Sequence, residues 1–157
     1  MAATKVLNVV DSSAWLEYLT NGAQAQKFAA AIEDSEHLVV PAIVLYEVFK
    51  KVLRERGEQP ALQVAAAMHA GTIIPVDAAL ALNAARYAMP LADSLIYATA
   101  QQMGAVVWTQ DDDFSGLPNV QYFAKTSDAA TRATLDKPKT PKMLRARKPQ
   151  TSSTRKK

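Results

Sequence analysis

The sequence contains no cysteine, so disulfide bonds, thiolate zinc sites and cysteine nucleophiles are excluded. Its 5 glycines stand singly, and none forms part of a glycine-rich phosphate-binding loop. The 2 histidines, His37 and His69, lack the spacing of paired metal ligands. No uninterrupted apolar run approaches the roughly 20 residues that span a bilayer, and the first residues lack the basic-then-apolar pattern of a signal peptide. We therefore expect a cytoplasmic protein with no membrane partner.

Charge is distributed unevenly along the 157 residues, although the net charge of the whole chain is only +3. Residues 1–124 contain 7 Lys and Arg against 13 Asp and Glu, a net charge of −6. Residues 125–157 contain 11 Lys and Arg against 2 Asp, a net charge of +9. We predict a compact domain over residues 1–124 and a basic, proline-containing tail over 125–157, disordered because it has too little apolar surface to offset its ordering entropy.

Short apolar runs alternate with helical patterns, which predicts an α/β fold with a mainly parallel sheet and helices on both faces. The predicted strands are Lys5–Val10, Leu38–Val40, Ala105–Thr109 and Val120–Phe123, with a brief extended piece at Thr72–Val76. Prolines before helices and glycines after them set several helix bounds. The predicted helices are Ala14–Leu19, capped by Ser12 and Ser13, then Gln24–Asp34, Ala42–Arg56, Ala61–Ala70, Ala78–Tyr87 and Leu91–Met103.

Two of the predicted strands end in acidic residues. Asp11 follows the first strand, and Asp111, Asp112 and Asp113 lie just beyond the strand that ends at Thr109. Sites in open α/β sheets form outside the carboxyl ends of the strands, so these acids are candidates for function. The alternative is that they cap the next helix or form a solvated turn.

Two further acids lie within predicted helices. Asp93 shares the apolar stripe of its helix and sits in its first turn, where the helix dipole favours an anion; simple dipole compensation is the alternative. Glu47 is the only charged residue between Glu36 and Lys50. A glutamate amid so much apolar sequence must be paired, protonated or bound to a cation. Intrahelical ion pairs with Lys50 and Lys51 are the alternative here.

Together these acids predict one site of Asp11, Glu47, Asp93, Asp111 and Asp113, if they converge in space. Several carboxylates in one site cannot all stay ionised without a cation, because like charges raise one another's pKa. Mg²⁺ or Mn²⁺ is the hard cation that carboxylates bind. Such sites typically serve hydrolysis of a phosphodiester.

Four segments resemble, in order and spacing, the PIN-domain ribonuclease family, and most of all its VapC-type toxins. They are VVDSSAWLEYL, PAIVLYEVFKKVL, LADSLIYATAQQMGAVVWTQDDDF and VQYF, which together extend over about Val6–Phe123. The resemblance implies a three-layer α/β/α sandwich. It also implies Mg²⁺- or Mn²⁺-dependent cleavage of RNA, neutralisation by a cognate antitoxin protein, and a homodimer.

The resemblance also implies roles for individual residues. Asp11, Glu47, Asp93 and Asp111 match the family's catalytic, metal-binding acids, and Asp113 matches a secondary ligand. Ser12 and Thr109 match assisting hydroxyl positions.

Because the predicted site is acidic, Lys50, Lys51, Arg86 or the tail would have to supply phosphate contacts. Two alternatives remain open at this point. One is a PIN-type nuclease that processes RNA without being a toxin, and the other is a noncatalytic, receiver-like module that binds Mg²⁺.

Overall fold

A computed structural model of the chain describes residues 4–126. Five parallel strands form one sheet in the order β3-β2-β1-β4-β5. The strands are β1 (Asn8–Val10), β2 (Leu38–Pro41), β3 (Thr72–Ile74), β4 (Val106–Thr109) and β5 (Val120–Tyr122). Six helices flank the sheet: α1 (Ser12–Leu19), α2 (Ala25–Glu33), α3 (Ala42–Arg56), α4 (Glu58–Met68), α5 (Ala78–Ala84) and α6 (Leu91–Met103). The predicted α/β class with a parallel sheet is confirmed.

The strand order places a topological switch point at the centre of the sheet. From β1 the chain builds outward through β2 to β3, and then returns to place β4 on the other side of β1. Val10 at the end of β1 is in register with Trp108 near the end of β4. Because the connections leave β1 in opposite directions, a crevice forms between the carboxyl ends of β1 and β4.

Helices α3 and α6 have the bounds that the sequence predicts, because their ends depend on local backbone chemistry. Pro41 and Pro90 precede their first residues, where a missing amide hydrogen costs nothing. Gly57 and Gly104 follow their last residues with φ of 88° and 62°, conformations that strain residues with a side chain.

The core lies on both sides of the central strands. Its largest fully buried side chains include Phe28 and Phe114, both with no exposed surface. Trp15 and Tyr97 also belong to the core, since they are 2% and 4% exposed. Trp108 is half-buried, and its indole Nε1 donates to Asn8 Oδ1 at 2.8 Å.

Several predicted bounds are wrong by a few residues. Strand β1 begins at Asn8 rather than at Lys5, because Lys5 and Val6 are exposed and pair with no strand. Asp11, not Ser12 or Ser13, caps α1, since its carboxylate accepts from the Ser12 amide.

Two later helices also differ from the prediction. Helix α4 begins at Glu58 rather than at Ala61, because Pro60 is tolerated within a first turn. Helix α5 ends at Ala84 rather than at Tyr87, because the amides of Arg86 and Tyr87 bond to carbonyl oxygens three residues back, as in a tight turn rather than an α-helix.

The predicted disorder of the basic tail concerns residues that, from 127 onward, lie outside the described part of the chain. Within residues 4–126, no helix is both long enough and apolar enough to cross a membrane.

Candidate active site

The crevice between β1 and β4 is bordered by the two acids that end these strands. Asp11 follows β1 and Asp111 lies two residues beyond β4. The Asp11 amide donates to the carbonyl oxygen of Trp108 at 2.9 Å, which continues the pairing of the two strands by one residue. Asp11 is 2% exposed, so its carboxylate is fixed inside the protein.

Four hydrogen bonds orient the Asp11 carboxylate. Its Oδ1 accepts from the Ser12 amide at 2.7 Å and from the Ser12 hydroxyl at 3.4 Å. Its Oδ2 accepts from the Ser13 hydroxyl at 2.7 Å and from the Thr109 hydroxyl at 2.9 Å. Sequence reasoning named Ser12 and Thr109 as assisting hydroxyls, but Ser13 makes the shorter hydroxyl contact and was missed. Its position in the first turn of α1, two residues after the capping acid, was the signal that could have identified it.

The hydroxyls of Ser13 and Thr109 also connect Asp11 to the loop after β4. The Gln110 amide donates to the Ser13 hydroxyl oxygen at 3.1 Å, and the Asp111 amide donates to that of Thr109 at 2.9 Å. Each hydroxyl therefore accepts from the loop and donates to Asp11. This double bridge fixes the position of Asp111 relative to Asp11.

Asp93, Asp111 and Asp113 form a tight cluster, which we call the acidic triad. One carboxylate oxygen of each lies within 4.8 Å of the others. Asp93 comes from the first turn of α6, and Asp113 from a 3-10 turn at Asp112–Phe114. Asp111 caps that turn by accepting from the Asp113 amide at 3.0 Å. The capping role offered as an alternative for Asp111 is thus real, and it coexists with membership of the triad.

Glu47 in α3 has a buried oxygen with no protein partner. Within residues 4–126, Glu47 Oε1 is one of two buried side-chain atoms that make no hydrogen bond. The alternative in which Lys50 and Lys51 neutralise Glu47 is wrong. Lys50 donates to the Tyr46 hydroxyl, and Lys51 pairs with Glu55.

The electrostatics of these acids show that they act on one another. Burial, then the charges of Asp111 and Asp11, and then a hydrogen bond with Asp113 together raise the pKa of Asp93 to about 7. Burial also raises the pKa of Asp11, which its hydroxyl partners only partly offset. The pKa of Glu47 is raised by burial and then by the charges of Asp11 and Asp111. All three of these groups feel the charge of Asp111, so the five acids share one electrostatic environment.

The arrangement suits a divalent cation. The acidic triad offers three carboxylate oxygens at mutual distances that one ion can bridge. Asp11 and Glu47 border the triad rather than belong to it, and the unpartnered Glu47 Oε1 is a free hard-oxygen donor. A cation bound here would offset the repulsion that, after burial, raises the pKa values of these acids.

Comparisons with known proteins agree with this geometry. A model of the PIN domain family matches residues 9–119, a range that includes all five acids. None of the curated proteins matches the chain.

Solved structures with the same fold include several toxin proteins. A toxin–antitoxin complex from Klebsiella pneumoniae matches with a TM-score of 0.61 and 22% identity over 73% of this chain and 95% of that chain. VapC20 of Mycobacterium tuberculosis, described as a toxin that cleaves the sarcin–ricin loop, matches with a TM-score of 0.59 and 21% identity over 72% and 96%. The DNA-bound VapBC of Salmonella typhimurium matches with a TM-score of 0.59 and 13% identity over 76% and 98%. At these identities the likeness establishes the shared fold.

Proposed function

Because this chain belongs to the PIN domain family, we propose that it is a Mg²⁺- or Mn²⁺-dependent endoribonuclease and the toxin of a toxin–antitoxin pair. The observation that carries the proposal is the acidic triad, bordered by the buried carboxylate of Asp11 and by Glu47 with its unpartnered oxygen. A carboxylate cluster of this kind is the ligand set of metal-dependent phosphodiester hydrolysis.

Each acid has a role in the proposed site. Asp93, Asp111 and Asp113 would hold the ion, with Asp11 and Glu47 completing the set of catalytic carboxylates. A Mg²⁺ or Mn²⁺ ion held by these acids would supply a water of lowered pKa and stabilisation of charge on the attacked phosphate.

The assisting hydroxyls act through Asp11. Thr109 and Ser13 hold its Oδ2, and Ser12 contacts its Oδ1 and partly offsets the rise in the pKa of Glu47. Through the double bridge, Thr109 and Ser13 also keep the loop that carries Asp111 at a fixed distance from Asp11. Such support positions the ligands before an ion or a substrate arrives.

RNA must approach this site against the net negative charge of residues 1–124. We assign phosphate contacts to Lys50, to Arg86 in the exposed segment after α5, and to the basic residues of the tail. Lys51 is the weaker candidate, because its ammonium already pairs with Glu55. Deleting residues 137–157 tests the tail, because the RNA affinity of the truncated protein should depend less steeply on salt concentration. An unchanged salt dependence would show that the tail does not contact the RNA.

The nuclease proposal is tested by cleavage and by metal binding together. The wild-type protein should cleave RNA in Mg²⁺ or Mn²⁺, and Mn²⁺ should raise its melting temperature, because the ion binds only the folded state. Asp11→Asn should abolish both effects. Asp112→Asn is the matched control, since it removes an exposed carboxylate of the same loop that lies outside the acidic triad. Full activity in Asp93→Asn would show that the site is wrongly assigned.

The toxin role and the partners rest on the likeness to toxin–antitoxin complexes. We propose a cognate antitoxin and a homodimer, with action in the cytoplasm. Induced expression should arrest growth, and co-expression of the neighbouring gene should relieve the arrest. Unaffected growth alongside RNA cleavage in vitro would favour an RNA-processing nuclease instead. Light scattering of the purified protein tests the dimer.

A receiver-like signalling module is not favoured by the fold. Receiver-type sheets have the strand order 2-1-3-4-5, whereas the order here is β3-β2-β1-β4-β5. Acyl phosphate donors should therefore leave the protein unlabelled.

A further inference from the structure

One buried polar side chain in the described part of the chain lacks a hydrogen-bond partner. Within residues 4–126 the buried polar and charged residues are Asp11, Gln24, Ser94, Thr99, Thr109 and Gln110. The first five make hydrogen bonds through their side chains. Gln110 is 6% exposed, and it bonds only through its backbone amide. Because buried polar groups are nearly always paired, the free carboxamide of Gln110 calls for an explanation.

The Gln110 carboxamide ends at a small opening in the surface. Within residues 4–126, the two side-chain atoms that are cut off from solvent without a partner belong to Trp15 and Glu47. The carboxamide nitrogen and oxygen of Gln110 therefore each keep some contact with solvent, although nearly all of the residue is buried. A ligand at this opening would meet two donor hydrogens and an acceptor oxygen, all of them unused.

This opening lies beside the acids of the candidate active site. The Gln110 amide donates to the Ser13 hydroxyl at 3.1 Å, and that hydroxyl donates to Asp11 Oδ2 at 2.7 Å. On its other side Gln110 is bonded covalently to Asp111 of the acidic triad. A glutamine side chain reaches only about 5 Å from its Cα, whichever way it turns. The carboxamide is therefore close enough to the acids for one RNA substrate to contact both.

The chemistry of the carboxamide favours a nucleobase as the ligand. It carries no charge, so it adds little to phosphate binding, which is dominated by cations. It places a donor next to an acceptor, and the edge of a base does the same. Glutamine pairs with adenine through two hydrogen bonds, to N6 and N7 on the Hoogsteen edge. Burial of the stem also reduces the entropy lost when the carboxamide is fixed on a ligand.

We propose that Gln110 is a specificity-determining residue whose carboxamide binds the Hoogsteen edge of an adenine next to the scissile phosphate. Its Oε1 accepts from the N6 amino group, and its Nε2 donates to N7. The inference rests on the proposed ribonuclease function and adds a base preference to it. Cleavage should therefore favour phosphates that have an adenine on one side.

The test uses the full-length chain and RNA of random sequence, digested in Mn²⁺, with the cut ends sequenced. The wild type should cut next to adenine more often than next to the other bases. Gln110→Met keeps the length of the side chain without its hydrogen-bonding groups, and should lower this preference by about 5- to 150-fold, the discrimination of one bidentate base contact. RNA that contains 7-deazaadenosine lacks N7, so it should weaken the preference of the wild type and leave Gln110→Met unchanged.

The matched control is Gln102→Met, which makes the same substitution at an exposed residue of α6, about 13 Å along the helix from Asp93. This variant should keep the adenine preference. Mn²⁺ should raise the melting temperature of Gln110→Met as it does that of the wild type, because the bond to Ser13 uses the backbone amide. A preference lost without a loss of Mn²⁺ stabilisation cannot come from displaced acids.

Three results would overturn the proposal. They are wild-type cleavage without a preference for adenine, a preference that Gln110→Met retains, and a preference that does not depend on N7. In each case the opening at Gln110 would hold water rather than a base. A preference that Gln102→Met also loses would overturn it as well, since that residue lies away from the acids.

Failure of this proposal can be distinguished from failure of the proposed function. Cleavage without an adenine preference would overturn the base contact alone. If the wild type cleaves no RNA, the nuclease is overturned, and binding of oligoadenylate and of its 7-deaza form is measured instead. Tighter binding of oligoadenylate that disappears in Gln110→Met would then support the base contact, and equal binding of the two forms would overturn it.

Discussion

Replacing Asp93 with asparagine is expected to stabilise the metal-free protein while it removes nuclease activity. In the folded state the charged form of Asp93 is opposed by burial and by the nearby carboxylates of Asp111 and Asp11, which raise its pKa from 3.8 to about 7. Above that pH the folded protein must hold a charge that the unfolded chain accommodates without cost. Asparagine keeps the shape of the side chain and removes the charge.

The magnitude follows from the shift in pKa and from the position of the side chain. A shift of this size corresponds to about 4 kcal/mol where no solvent screens the charges. Asp93 is only half-buried, and screening by water and salt reduces the effect to about 1 to 2 kcal/mol. Asparagine also gives up the favourable position of an anion in the first turn of α6, about 0.3 to 1 kcal/mol. The net gain is about 1 kcal/mol, which raises Tm by about 4 °C in a domain of this size.

The assay is thermal unfolding at pH 8 in EDTA, compared with unfolding in Mn²⁺. In EDTA, Asp93→Asn should melt above the wild type, and in Mn²⁺ the order should reverse because the variant has lost a ligand. Asp112→Asn changes the net charge equally outside the acidic triad and should shift Tm by no more than about 2 °C. A metal-free Asp93→Asn protein that melts below the wild type would refute the account of repulsion.

Three further outcomes are expected. Because the pKa of Asp93 is raised in the folded state, the free energy of unfolding of the metal-free wild type should fall relative to that of Asp93→Asn as the pH rises from 3.8 to about 7. Urea unfolding at a series of pH values measures this difference, and parallel curves of unfolding free energy against pH would contradict it. Thr109→Val leaves the Asp111 amide without its acceptor, so the free energy of unfolding in urea should fall by about 1 kcal/mol. Mn²⁺ titration should show an affinity about 10- to 100-fold weaker. Unchanged Mn²⁺ affinity would show that the hydroxyl bridge does not position the site. Gly71→Ala would place a Cβ 2.8 Å from the backbone oxygen of Leu38, so urea unfolding should show that the free energy of unfolding falls by about 1 to 3 kcal/mol. An unchanged free energy of unfolding would mean that the start of β2 can shift freely.

Features that depend on local backbone chemistry could be predicted from the sequence. The bounds of α3 and α6 follow from a proline before each helix and a glycine after it. The buried faces follow from apolar spacing, and the acids at the ends of β1 and β4 follow from where the apolar runs stop. Each of these inferences needs only residues within one or two turns of each other, because φ, ψ and local hydrogen bonds decide them.

Hydrogen bonds between residues far apart in the chain could not be predicted from the sequence. Asp11 and Thr109 are 98 positions apart, and their hydrogen bond exists only because β1 and β4 are neighbours in the sheet. The hydroxyl that contacts Asp11 most closely belongs to Ser13 rather than to Ser12, a choice made by the direction of the first turn of α1.

The chain alone thus determined which residue types could form a cation site and on which elements they lie. The tertiary structure decided that Asp93, Asp111 and Asp113 approach within 4.8 Å and that Lys50 and Lys51 contact Tyr46 and Glu55 rather than Glu47. The physical reason is that charges interact through space, over distances fixed by the packing of whole elements, whereas a helix end is settled by the residues beside it.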